Sequence, residues 1–203
     1  MPHLTFYYEF ASTYSYLSAA RIEDLARAHR VEIVWRPFLL GPIFAAQGWT
    51  TSPFNLFPAK GAHMWRDMER LVAKYDLPPL TRPDPFPQNG LLAARLALVG
   101  MAQGWGPAFT RAVYDLQFAR GGHIDDETAL CAILEDLGLD STTLWQAAKA
   151  DATVKAALRA ITEEAQQLGL FGAPSFVTED GEVFWGNDRL EDALIWAAEI
   201  NYT

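Results

Sequence analysis

Runs of alternating and helically spaced apolar residues divide the chain into three stretches. Leu4 to Phe10 is rich in aromatic residues and stops before the polar cluster Ser12-Thr13-Tyr14-Ser15, the pattern of a strand leading into a helix start. From Tyr16 to His29 the apolar positions Leu17, Ala20, Ile22, Leu25 and Ala26 share one helical face. Val31 to Trp35 then alternates apolar and polar residues, as a half-buried strand does. The opening unit is β-α-β. Pro37 to Pro58 contains four prolines and reads as a long irregular loop, a feature that compact domains keep mainly for function.

Helical spacing returns from Lys60 to Tyr75, with Met64, Met68, Leu71 and Val72 on one side. Leu77 to Pro87 is too rich in proline to be a helix interior. Helical patterns follow at about 90–103, 108–120, 126–137, 142–150 and 153–168, punctuated by Gly104, Gly106, Gly121, Gly122 and Gly138. Ser175 to Thr178, then Asp180-Gly181, then Glu182 to Trp185 predicts a hairpin with a tight turn. A final amphipathic helix spans about 188–199 through Leu190, Leu194, Ile195 and Ala198.

A sheet needs its apolar faces covered by other elements. The economical arrangement brings both chain ends into one β-α-β/β-β-α layer, with the middle helices inserted. The expected class is therefore α/β, with residues 1–58 and 169–203 forming the sheet domain and 59–168 an all-helical insertion.

Composition narrows the function. The chain has 203 residues, 50% hydrophobic and 20% charged, which is one soluble globular domain and not a disordered segment. The net charge of −9 argues against a surface that tracks nucleic-acid phosphates. The single cysteine excludes an internal disulfide, a Cys-x-x-Cys redox pair and a thiolate metal cluster. The first residues, Met1-Pro2-His3-Leu4-Thr5-Phe6, lack the pattern of a secretory signal, and no run reaches the roughly 20 apolar residues of a membrane span. The expectation is a cytoplasmic protein with no membrane or nucleic-acid partner.

Several residues admit both a structural and a chemical reading. Ser12 suits a plain helix N-cap, worth about 1 kcal/mol. Ala173-Pro174 precedes a strand, where a trans proline fits only an edge position. Asn187 or Asp188 suits a cap of the last helix, and Asp188 with Glu191 has capping-box spacing. Lys60 opposes the dipole of the helix it begins, and Asn89 has the position of an N-cap. Asp67 and Arg70 have the spacing of an ion pair. Cys131, among Leu130, Ile133 and Leu134, reads as a buried inert thiol. The histidines have no ligand spacing, and no metal site is expected. Trp49, Phe54, Phe57 and Trp65 suit either a pocket for a flat ring or ordinary core.

Ser12-Thr13-Tyr14-Ser15, Phe171-Gly172-Ala173-Pro174 and Trp185-Gly186-Asn187-Asp188-Arg189, with Pro58-Ala59-Lys60-Gly61, Trp65-Arg66-Asp67, Glu69-Arg70, Phe86-Pro87-Gln88-Asn89 and Ala94-Arg95 between them, carry a resemblance. In order and spacing they resemble the 2-hydroxychromene-2-carboxylate isomerases, relatives of the kappa-class glutathione transferases in the DsbA-like thioredoxin-fold superfamily. The resemblance spans nearly the whole chain. It implies a thioredoxin-like fold, glutathione as cofactor, a homodimer and a small aromatic carboxylate substrate. The implied reaction interconverts 2-hydroxychromene-2-carboxylate and trans-o-hydroxybenzylidenepyruvate in bacterial naphthalene breakdown.

The resemblance also assigns roles. Ser12, at the positive end of a helix, would donate a hydrogen bond to the glutathione thiolate, the sulfur coming from outside because no cysteine is near. Ala173, before a cis Pro174, would pair with the cysteinyl unit by a short strand addition. Trp185, Gly186, Asn187 and Asp188 would grip the γ-glutamyl end, with Asp188 on its amino group. Lys60 becomes a carboxylate partner and Asn89 a substrate hydrogen-bonder, while Asn55 resembles a kappa-class glutathione contact. Thr13 departs from the proline usual at that position, and it fixes the helix start less firmly. A kappa-type transferase or peroxidase and a noncatalytic glutathione-binding module are the alternatives. A DsbA-type disulfide oxidoreductase is disfavoured, because serines occupy the two redox positions.

Overall fold

The computed structural model describes residues 1–199; residues 200–203, the end of the segment expected to complete the sheet domain, lie outside the described residues. Strand β1 (His3–Tyr8) runs into helix α1 (Thr13–His29) and returns as β2 (Glu32–Pro37). Near the other end β3 (Ser175–Thr178), β4 (Val183–Trp185) and α10 (Leu190–Glu199) form the second unit. The four-stranded sheet has the order β2-β1-β3-β4. β1 pairs parallel with β2 and antiparallel with β3, in a register that sets Phe6 opposite both Trp35 and Phe176. The expected β-α-β and β-β-α units therefore join in one sheet, a thioredoxin-like fold of the α/β class.

Successive strand residues point to opposite faces, so β1 supplies two cores at once. Leu4, Phe6 and Tyr8 enter the larger cluster with Leu17 and Ile22 of α1 and Leu190 and Leu194 of α10. Tyr7 faces the other way, into a smaller cluster with Phe38, Ile43, Ile161 and Leu170. That second face is covered by α2 (Leu40–Ala46) and α9 (Ala152–Gln167). Between the two ends lie α3 (Pro53–Leu56), α4 (Pro58–Lys74), α5 (Leu91–Gln103), α6 (Gly106–Tyr114), α7 (Glu127–Asp136) and α8 (Ser141–Ala150). Their buried residues, such as Leu96, Phe109, Leu130 and Trp145, continue the larger cluster, so sheet and helices share apolar core.

Three expectations need correction. Pro37 to Pro58 is not wholly irregular: α2 and α3 lie within it, with Pro53 at the start of α3, where its missing N–H costs nothing. The helix expected to begin near Lys60 starts at Pro58 for the same reason. The helix expected over 108–120 starts at Gly106 and widens into a π-helical turn at Asp115–Ala119. Among the described residues, no helix is long and apolar enough to cross a membrane.

Candidate active site

β1 ends at Tyr8, and the chain turns at once, the Ser12 N–H donating to the Glu9 carbonyl at 3.0 Å. Ser12 has extended backbone and caps α1, its Oγ accepting from the Ser15 N–H at 3.2 Å. The same hydroxyl donates to the Ala173 carbonyl at 2.8 Å. Ser12 is thus a cap with its proton directed across to the segment that leads into β3. The Ala173-Pro174 peptide bond is cis, and the Pro174 carbonyl accepts from the Gly186 N–H at 3.0 Å. These bonds gather the α1 N-terminus, the turn before β3 and the end of β4 around one opening.

That opening is a cleft of about 1340 Å³, and Ser12, Lys60, Asn89, Ala173, Pro174, Trp185, Gly186, Asn187 and Asp188 all line it. All of the expected site residues meet in one place. Gly186 has φ +113°, a conformation reserved for glycine, and a Cβ there would lie 2.6 Å from Asp188 Oδ1. Trp185 and Phe171, about half exposed, meet edge-to-face at 4.7 Å and form an apolar lip. Gly172 lies beneath them: a Cβ there would lie 2.4 Å from the Trp185 Nε1.

The expected capping box is absent. A 3-10 turn, Asn187–Arg189, precedes α10, so Asp188 is not the residue before the helix, and Glu191 pairs with Arg21 at 3.0 Å instead. Asn187 is buried, and its Oδ1 accepts from Ser18 Oγ at 3.1 Å and Arg21 Nη2 at 3.3 Å. Its Nδ2 donates to the Tyr75 hydroxyl at 3.4 Å, and the Arg21 guanidinium stacks on the Tyr75 ring at 3.8 Å. Asn187 therefore joins α1, the end of α4 and the β4–α10 turn, and leaves the exposed carboxylate of Asp188 to face the cleft. Asn187→Ala is expected to cost about 1–3 kcal/mol, the range for stranding buried hydrogen-bonding groups, read as a lower urea midpoint at unchanged slope.

Helix α4 forms another wall. Lys60, Asp67, Leu71 and Lys74 all line the cleft, and their spacing of seven, four and three residues places them on one helical face. Asp67 does not pair with Arg70. It accepts from the Tyr14 hydroxyl at 2.9 Å, while Glu69 takes Arg66 and Arg82, both at 2.7 Å. Burial first, then the bond to Asp67 and the charges of Asp67 and Asp188, hold the Tyr14 phenol well above its ordinary pKa. Lys60 Nζ lies 4.8 Å from the Phe57 ring centre. Asn89 Oδ1 accepts from the Leu91 N–H at 3.0 Å, so its amide NH₂ keeps its donors for the cleft.

The aromatic wall is partly as expected. Trp49 and Phe54 line the cleft with Phe44 and Phe86. Trp65 instead packs against Phe86 at 4.8 Å beneath the Arg82 guanidinium, and Phe57 is exposed outside the lining. Asn55 donates to the Phe86 carbonyl at 2.9 Å and so braces the wall from behind. Cys131 is partly buried on α7, and burial, then Glu127 and Glu135, push its thiol pKa up, away from the reactive thiolate.

Comparison with known proteins decides the family. A family profile described as a DSBA-like thioredoxin domain matches residues 3–194. A 2-hydroxychromene-2-carboxylate isomerase of Sphingobium xenophagum is 34% identical over 93% of this chain and 94% of its own length. The chain belongs to the 2-hydroxychromene-2-carboxylate isomerase family. An isomerase of the same name from Pseudomonas putida is 26% identical over 91% of this chain and 89% of its own. A solved 2-hydroxychromene-2-carboxylate isomerase superposes with TM-score 0.86 at 24% identity, covering 98% of each chain, and so has the same fold.

Three cleft residues of this isomerase-family chain receive no site role from its motifs, although two of them stand within those motifs. The mutual bond of Tyr14 and Asp67 depends on packing between two helices, although the α4 spacing of Lys60, Asp67 and Lys74 marks Asp67 as sharing the face of Lys60. Glu9 is the third. Its signal is a carboxylate inside an aromatic strand end, three residues before Ser12. Its Oε2 accepts from the Ala11 N–H at 2.9 Å, and burial, opposed by that bond, pushes its pKa up to about 8.

Proposed function

We propose that this protein binds glutathione in the cleft and uses it to interconvert 2-hydroxychromene-2-carboxylate and trans-o-hydroxybenzylidenepyruvate. The observation that carries the reading is the Ser12 hydroxyl, held between the α1 N-terminus and the Ala173 carbonyl, in a cleft that has no cysteine of its own. The name of the curated relatives supplies the chromene carboxylate, and the family resemblance of the motifs supplies the open-chain isomer.

The residues fit such a ligand. Thr13 Oγ1 is buried at the cleft without a hydrogen-bond partner among the described residues, beside the Ser12 cap. The volume of about 1340 Å³ exceeds the roughly 300–1000 Å³ of common single-ligand pockets, which suits a tripeptide and a bicyclic acid together. When bound, glutathione supplies a nucleophilic sulfur whose reversible addition turns a conjugated double bond into a single bond that is free to rotate.

Ser12 has one hydroxyl proton, which it donates to the Ala173 carbonyl. A peptide N–H donated to that carbonyl frees the proton to turn toward a negative sulfur. The free N–H groups at the start of α1 favour the same charge by about 0.3–1 kcal/mol. Asp67 and Asp188 supply negative charge for an ammonium group at the Tyr14 end, and Lys60 supplies the positive charge for a carboxylate. Phe44, Trp49, Phe54 and Phe86 flank the space for a flat ring.

The ultraviolet spectrum of the chromene carboxylate, followed with enzyme in the presence and absence of glutathione, tests the reading. Conversion is expected with glutathione and to fall at least about 100-fold without it. Equal rates in both would overturn it.

A further inference from the structure

The reaction proposed above includes a proton transfer that Ser12 does not perform. Opening the hemiketal breaks the bond from its carbon to the ring oxygen and forms a ketone. The ring oxygen must gain a proton as the hemiketal hydroxyl loses one.

Glu9 is placed for that exchange. It lies on the cleft between Tyr8, the last residue of β1, and Ser12, and its backbone carbonyl is held by the Ser12 N–H and by the Tyr114 hydroxyl at 2.9 Å. Its carboxyl group is asymmetric. Oε2 takes the Ala11 N–H, which leaves Oε1 as the oxygen to carry a proton. Among the described residues Oε1 has no hydrogen-bond partner, and it is not sealed from solvent. Across from it stands Gly90, where a Cβ would lie 3.3 Å from Oε1 and 2.9 Å from the Phe10 Cβ. The missing side chain keeps that approach open beside Asn89 and Ser12.

The groups around Glu9 do not compete for the proton. Tyr114 is the titratable group that interacts with it, a buried phenol held above its ordinary value chiefly by burial, and the neighbouring Tyr8 phenol, also raised by burial, is turned to Thr110 in the core. Ser12, Gln88 and Asn89 are uncharged. Lys60, Asp67, Lys74, Asp188 and Arg189 are the charges of the cleft, and burial with the Ala11 bond, not they, sets the state of Glu9.

We propose that Glu9 is the proton-transfer residue of this reaction: as the neutral acid it protonates the ring oxygen while the hemiketal opens, and as the carboxylate it takes the hydroxyl proton, directly or through one water. Atoms and charge balance, and Glu9 returns to its starting form. The inference rests on the isomerase reading of the cleft.

Glu9→Gln keeps the shape and an acceptor for the Ala11 N–H but carries no acid. It is expected to lower kcat about 100-fold, at the lower end of the general acid–base range, with glutathione affinity by calorimetry within about threefold of wild type. The wild-type kcat should fall as pH rises through about 8, and this alkaline limb should vanish in the variant. A readout independent of turnover follows from linkage. The raised pKa means that the fold binds a proton the unfolded chain has lost, so wild-type stability should fall between pH about 4.5 and about 8. That part of the slope should be missing in Glu9→Gln. A variant that retains wild-type kcat and the alkaline limb would overturn the role of Glu9 while leaving the isomerase reading intact. A wild-type protein that binds glutathione but does not turn over the chromene would remove both.

Discussion

Ser12→Ala is expected to lower kcat by about 10²–10³-fold, the cost of losing one donor aimed at a developing charge. Under the proposed function, glutathione affinity should change only a few-fold, because a tripeptide of that length would make most of its contacts elsewhere in the cleft. The variant also loses the cap on the Ser15 N–H and the bond to the Ala173 carbonyl. The cap alone is worth about 1 kcal/mol, or about 2–4 °C in Tm for a protein of this size. A thermal melt therefore separates the two roles of the hydroxyl. If kcat and affinity fall by the same small factor, and Tm falls as stated, Ser12 is a cap and nothing more.

The second large effect is on the fold that holds the opening together. Phe6 is fully buried and meets Tyr8 at 5.2 Å, Trp35 at 5.1 Å and Phe176 at 5.4 Å. These rings come from β1, β2 and β3, so Phe6 joins the opening β-α-β unit to the strand that follows Pro174. Phe6→Ala is expected to cost about 3–5 kcal/mol, a large part of a typical total of about 5–15. Urea denaturation reads this as a lower midpoint. Val183→Ala, at an exposed site on β4, should stay within about 0.5 kcal/mol. A loss below 1 kcal/mol for Phe6→Ala would mean that the two chain ends are not held through this cluster.

The sheet was legible in the sequence because strand periodicity is local. Phe6 and Tyr8 alternate with Tyr7, and Asp180-Gly181 sits between Thr178 and Glu182, whose backbones are bonded in the hairpin at 3.1 Å. The motifs around Ser12, Pro174 and Gly186 were legible through family resemblance, and folding brings them onto one cleft. Where reading failed, the deciding interaction joined distant segments or a pattern too short to have a period. Helices of seven and four residues at Leu40–Ala46 and Pro53–Leu56 offer about two turns or fewer, and four prolines obscured them. Local sequence offers Asn187 or Asp188 as a cap, because Ser18, Arg21 and Tyr75, which claim the Asn187 amide, lie far away in sequence. Spacing points Asp67 to Arg70, whereas Tyr14, from another helix, holds it. Trp65 could not be told from Trp49 by type. Only packing places one against Phe86 and the other on the cleft.

The proposed catalysis depends on a glutathione sulfur made anionic beside Ser12, and titrating the ultraviolet absorbance of the thiolate in the enzyme–glutathione complex measures that directly. The bound thiol should ionise at least about one pH unit below the roughly 8.5 of a free thiol, and Ser12→Ala should bring it back most of the way. A bound thiol that ionises at its free value, equally in wild type and Ser12→Ala, would contradict the account.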